Sequence, residues 1–439
     1  MTGEPSRPID APAGRGDALL AFMQELFPIC RSITGDGVRQ TLAAVGERIP
    51  LEVHEVPSGT KVLDWSVPDE WNVRDAYIAR GGRRIVDFHE SNLHLVGYSE
   101  PFRGTVSLRD LRPHLHSLPN HPSWVPYRTS YYSRTWGFCV SQEQLDRLED
   151  ADYEVAIESS LAPGSLTYGE CFLPGEREDE VLVTTHVCHP SLANDNLSGI
   201  AVLTELGALL HDAQRTFSYR LLFIPGTIGS ITWLARNKAH VGKIAAGVVL
   251  ACLGDSAPLT YKRSRRGDAQ VDRAAVHALR HVDRAARIVD FIPWGWDERQ
   301  FNSPGFDLPV GCLSRSREGE YEEYHSSADS IDVVRAEALN EALVAVVELV
   351  NALESDRRYL NLAPEGEPQL GRRGLYPTVG GPAAEQEHLA MLWVLNQSDG
   401  RQSLLDIAER SNLPLAAIRE AALRLVDADL LAQHDESVS

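Results

Sequence analysis

The stretch EVLVTTHVCHPSLANDNLSGIAVLTEL, Glu180 to Leu206, changes its period twice. An apolar, β-branched run (EVLVTTHV) passes into a polar turn, and Ser198-Gly199 then opens a segment with apolar residues at helical spacing. The same alternation continues on both sides. Further strand-like runs are YEVAIES, GSLTYGECFLP, SYRLLFIP, AAGVVLACLG, ARIVDFIPW and LPVGCLS. Helical patterns cover Gly199–His211, Ser230–Lys238, Asp268–Val282 and Ile331–Ser355. Near-continuous apolar strands alternating with amphipathic helices predict an α/β fold, with a mixed, mostly parallel sheet sandwiched by helices. In such a sheet, function collects just beyond the C-terminal ends of the strands.

Outward from this core the texture changes. Asp17–Cys30 and Asp36–Ile49 read as helices, so residues 1–50 are assigned to the N-terminal part of the same domain, behind a Pro-, Gly- and Arg-rich tail expected to fray. Residues 51–131 hold short β-prone pieces separated by Pro, Gly, Asn and Asp, which predicts a small β-rich insert. Its Trp65, Trp71 and His89 have no metal-like spacing and are read as structural. Residues 132–360 then form the catalytic domain, 361–384 a Pro/Gly-rich linker, and 385–439 three short helices in a winged-helix pattern.

Composition excludes several classes of function. Of 439 residues, 62 are acidic and 42 are Lys or Arg, giving a net charge of −20, so the chain as a whole is repelled by phosphate backbones. From Glu385 to the end, ten acidic residues face four arginines. That region lacks the cations that carry DNA affinity, and no nucleic-acid partner is expected. A protein contact or homo-oligomer through the winged helix is expected instead. No apolar run reaches the roughly 18 residues of a spanning helix, so no membrane partner is expected either. The start shows no secretory h-region, and six scattered cysteines without CxxC spacing fit a reducing compartment. The expected location is cytoplasmic.

Four strand ends carry metal-ligand chemistry. His186 ends one strand, and His189, Asn194, Asp195 and Asn196 follow in the turn. Asp255 follows AAGVVLACLG, Asp297-Glu298 follow ARIVDFIPW, and EEYHSSAD places Glu322, Glu323, His325 and Asp329 before the last long helix. Imidazoles and carboxylates converging from several loops suit a metal-assisted hydrolase, in which zinc holds a water and polarises a carbonyl while a carboxylate takes the proton.

These strings, with LFPICRSITGDGVRQTL, EVPSGTKVLDWSVPDEWNVRDAYI, SNLHLVGYSEP, TIGSITWLARN, DERQFNSPG and EYHSSADS, resemble a bacterial aminopeptidase-like family. Its members join a zinc-exopeptidase fold, a small inserted domain and a C-terminal winged helix. The resemblance covers nearly the whole chain. It implies one or two zinc ions and a small peptide or aminoacyl substrate whose amide bond is cleaved. Asp195 matches the aspartate that bridges two metals, and His325 the late histidine ligand. The early histidine falls on His186 or His189, and the acid after the central strand on Asp255 or, alternatively, Cys252. Glu322 or Glu323 matches acidic residues that receive a substrate ammonium.

One position departs from the family. Where its members carry a glutamate after SYRLLFIP, this chain has Gly226, which can neither accept a proton nor bind metal. Loss of such a base costs ~10²–10⁴-fold in rate. The alternatives are a substitute carboxylate, for which Glu298 is the candidate, a single zinc working with a weaker base, or a binding and scaffold protein without hydrolysis. Elsewhere, Cys188 and Cys252 are read as buried small hydrophobes and Ser230 as a helix N-cap. Lys262–Arg266 is read as a solvated basic loop, and the string at Arg31 as packing against the catalytic domain or lining a cleft.

Overall fold

The structure, a computed structural model, describes residues 8–10, 13–375 and 382–434. The centre is an eight-stranded sheet. Its strands run, edge to edge, Glu52–Pro57, Ser165–Leu173, Ser218–Ile224, Glu180–His186, Ile244–Leu250, Val310–Ser314, Thr260–Lys262 and Arg287–Val289. Glu180–His186 lies parallel to both of its neighbours, and Ile244–Leu250 is parallel to Val310–Ser314. Every residue of Glu180–His186 is buried, as a strand covered on both faces requires. Helices Ser198–Asp212 and Ala336–Ser355 pack their apolar sides into one core with the N-terminal helix Gly16–Leu26. Gly199 lets the helix start press against the sheet. A Cβ there would fall 2.5 Å from Thr185 Oγ1 and 2.6 Å from the Leu250 carbonyl oxygen.

The sheet borders differ from those the sequence suggests. Glu52–Pro57 does not belong to the insert; it pairs antiparallel with Ser165–Leu173 at the edge of the large sheet. In exchange, Asp152–Ala162, which contains YEVAIES, sits in the insert. There it forms a four-stranded sheet ordered Arg83–Asp87, Glu70–Arg80, Asp152–Ala162, Phe102–Ser107. Alternating apolar residues look the same on either sheet, so periodicity cannot assign them.

The winged-helix region likewise begins earlier than residue 385. Arg358–Asn361 pairs with Asp399–Ser403 and Leu431–Gln433, around helices Pro382–Gln397, Leu404–Ser411 and Leu415–Asp427. The Pro/Gly-rich segment is therefore an excursion inside this unit, although residues 376–381 of the expected linker lie outside the described residues. The expected fraying at residues 1–7 and 11–12 lies outside them as well. No helix among the described residues is long and apolar enough to cross a membrane.

Candidate metal centre

At the C-terminal edge of the large sheet, three imidazoles converge on one carboxylate. Asp195 is completely buried. His186 Nε2 lies 2.7 Å from its Oδ1, while His325 Nε2 and His189 Nε2 lie 3.0 and 3.8 Å from its Oδ2. The ligand atoms of His186, His189 and Asp195 all fall within 4.8 Å of one another. The two early histidines approach opposite oxygens of the same aspartate. Burial opposes the Asp195 charge, but His189, His186 and His325 outweigh it and hold the carboxyl well below its usual range. Burial pushes His189 down to about 3, leaving it neutral at physiological pH and able to offer a lone pair.

A second ring of hydrogen bonds sets the turn. Asp329 accepts the backbone N–H groups of Asn194 (2.7 Å) and Asp195 (3.0 Å) and the Tyr321 hydroxyl (3.0 Å). Asn196 donates from Nδ2 to Thr185 Oγ1 at 2.8 Å and accepts the Cys252 N–H at 3.0 Å. Arg31, buried in the N-terminal segment, donates through Nε to the His189 carbonyl at 2.9 Å, which gives the Arg31 string its role. Tyr127, from the insert, sets its ring edge against both His189 and His325, with centroids 5.1 Å apart in each case. His325 and Cys252 adopt positive φ (56° and 51°), a conformation side chains rarely hold without surrounding support.

Of the other expected site residues, Asp255 and Glu298 are engaged by other groups. The Asp255 carboxylate is taken up by Asn194 Nδ2 (2.8 Å) and the N–H groups of Ala257 (2.7 Å) and Ser316 (3.3 Å). It fixes the turn through Asn194 instead of facing the imidazoles. Glu298 is fully buried and ion-paired with Lys262, so Lys262 is not a solvated loop residue and Glu298 is not a free base. Glu323 is half-buried two residues before His325, and its carboxylate makes no ion pair or hydrogen bond among the described residues. Glu322 is 69% exposed and lies 3.6 Å from His121 Nδ1.

Asp297, which the sequence places at a strand end with Glu298 but to which it assigns no role, is the carboxylate next to Gly226. A Cβ at Gly226 would lie 3.2 Å from Asp297 Oδ2 and 3.2 Å from His186 Cβ. Ser230 is not an N-cap. It lies inside the helix Ile228–Arg236, and its Oγ donates to Asp297 Oδ1 at 2.7 Å. Burial raises the Asp297 carboxyl to about 6 against the lowering pull of His186. Glu318 escapes the sequence reading altogether. Its buried Oε2 has no hydrogen-bond partner among the described residues, and burial raises its carboxyl. Cys188 and Cys252 are buried, as expected of small apolar residues.

The donor set fits zinc: imidazole nitrogens with one fully buried carboxylate that no Lys or Arg among the described residues pairs with. Comparison with known proteins gives the fold a context. A family described as a domain of unknown function (DUF4910) matches residues 20–356, and a winged helix-turn-helix family matches residues 357–433. A Clostridium acetobutylicum protein, named for polysaccharide biosynthesis and an aminopeptidase-like domain, is 48% identical over 418 residues, 95% of this chain and 96% of that protein. This chain belongs to the DUF4910 family. A solved Clostridium acetobutylicum structure described as a peptidase covers 97% of this chain and 98% of its own, at 46% identity and TM-score 0.92. The zinc aminopeptidase of Bacillus subtilis is 14% identical, with TM-score 0.57 over 78% of this chain and 95% of its own. A peptidase M28 precursor from Shewanella amazonensis, at 11% identity, has TM-score 0.53 over 77% and 94%. These two likenesses are of fold: DUF4910 proteins of this kind have an aminopeptidase-like domain followed by a winged helix.

Proposed function

We propose that this DUF4910 protein is a zinc-dependent hydrolase of the aminopeptidase type, acting on an amide bond of a small peptide or aminoacyl conjugate. One observation carries the reading: the buried Asp195 carboxylate is faced by His186 on one oxygen and by His325 and His189 on the other. His186, His189, Asp195 and His325 would hold the metal, one ion or two. Bound there, zinc would polarise the scissile carbonyl and acidify water. The chain's own residues do the rest. Asp329 and Asn196 keep the turn in shape, and Tyr127 walls the imidazoles from the insert side. A cavity of about 600 Å³ bounded by Tyr127, Arg128, Glu322, Tyr324 and His325 opens beside His325 and is large enough for a dipeptide-sized ligand.

Metal analysis of purified protein, with a panel of chromogenic aminoacyl anilides, tests the proposal. Zinc present, with turnover that disappears in His325→Ala, is the expected result. Zinc without turnover on any anilide or dipeptide favours the binding protein that Gly226 suggests, and absence of both overturns the reading.

A further inference from the structure

Four of the buried polar atoms without a partner among the described residues lie side by side. Trp296 Nε1, Asp297 Oδ2, Glu298 Oε2 and Arg299 Nε are buried without a hydrogen-bond partner on four consecutive residues. Such atoms are costly to leave unmet unless a ligand or reactant meets them. Within this group Asp297 and Glu298 differ. Glu298 has its counter-ion in Lys262, whereas Asp297 has no Lys or Arg ion pair among the described residues. Its Oδ1 is fixed by Ser230 Oγ at 2.7 Å, which leaves Oδ2 free. A side chain begun at Gly226 would touch this oxygen and His186 Cβ at once, which places Gly226 between Asp297 and the root of His186.

Resting on the hydrolase reading above, we infer that Asp297 is the general base of this site, and that Gly226 is the gap through which it reaches the reacting water. A proton passes from the water to Asp297 Oδ2 as the water oxygen bonds to the scissile carbonyl carbon. The same proton then goes to the amide nitrogen, which leaves as an amine with the electron pair of the broken C–N bond. The other fragment departs as a carboxylic acid and ionises. Ser230 is a positioning residue, holding Oδ1 so that Oδ2 faces the gap.

The inference is tested with Asp297→Asn and with the double variant Asp297→Asn/Gly226→Glu, which returns a carboxylate to the same space from the neighbouring loop. Asp297→Asn is expected to bind zinc within about threefold of the parent while kcat falls ~10²–10⁴-fold. The double variant is expected to regain at least about tenfold of that loss. Independently of turnover, the cobalt-substituted proteins are titrated against pH and followed by their visible spectra. The spectral step of the parent is expected to shift or vanish in Asp297→Asn and to return in the double variant. Asp297→Asn with kcat within about threefold of the parent, or with metal lost along with activity, overturns the inference, as does a double variant that regains neither turnover nor the spectral step. If the parent turns over nothing, the hydrolase reading fails, and the cobalt titration alone decides whether Asp297 exchanges protons with the metal site.

Discussion

The two ends of one strand, Glu180–His186, treat buried charge in opposite ways. At its start, Glu180 receives Arg220 through two hydrogen bonds, 2.7 and 2.9 Å long. Arg220 also pairs with Glu170, whose second oxygen accepts Trp233 Nε1 at 2.8 Å. Every charge there has a partner of opposite sign. At the other end, His186 is one of three imidazoles around Asp195, and Asp297 and Glu318 keep carboxylate oxygens without a hydrogen-bond partner among the described residues. The first end is closed by its own ion pairs; the second leaves buried carboxylate oxygens without a partner among the described residues. Polar groups buried with partners hold a structure, and polar groups buried without them mark where chemistry happens.

Substitutions at the two ends should separate accordingly. The largest effect is expected from Asp195→Ala, with hydrolysis falling by ~10³-fold or more and zinc binding lost together, since both sides of the site share that carboxylate. The metal-free variant should melt close to the metal-free parent, because no strand pairing depends on the Asp195 side chain. At the opposite end, Arg220→Ala strands Glu180 and Glu170 without their cation and should cost about 3–5 kcal/mol in denaturant unfolding. Activity per folded molecule should stay as it was. A drop in kcat without a drop in stability would contradict the division between the two ends.

Metal should stabilise only one end. Zinc at 100 times its Kd adds about 2.7 kcal/mol to the parent, read as a rise in Tm, and adds nothing to Asp195→Ala. The smallest effect concerns acid. Arg39 hydrogen-bonds Glu70 from the insert and Glu55 from the large sheet, and it lowers the Glu70 carboxyl to about 2. A carboxyl depressed in the fold stabilises above its unfolded value and loses that contribution as pH falls from about 4.5 to 2. Unfolding midpoints measured across that window should slope downward in the parent and less steeply in Arg39→Ala.

Much of this was legible from the residues alone. The period change at Glu180–Leu206 announced strand, turn and helix, and the strand-end rule led to His186, His189, Asp195 and His325, all of which meet. What failed was orientation. Asp297 and Glu298 are adjacent, and only the Lys262 pair, from a strand far away in sequence, shows that Glu298 is occupied and its neighbour is not. Asp255 lies at a strand end like the others, yet the direction of its carboxylate depends on Asn194 and two backbone N–H groups that no spacing reveals. Strands Glu52–Pro57 and Asp152–Ala162 exchanged sheets because alternation records a buried face without naming what buries it.

Zinc titration of the metal-stripped protein by calorimetry tests the central reading most directly. Saturable uptake of one or two ions per chain, abolished in Asp195→Ala and weakened in His186→Ala, His189→Ala and His325→Ala, is the predicted result. Heats no larger than background in the parent, or the same uptake in Asp195→Ala, would contradict it.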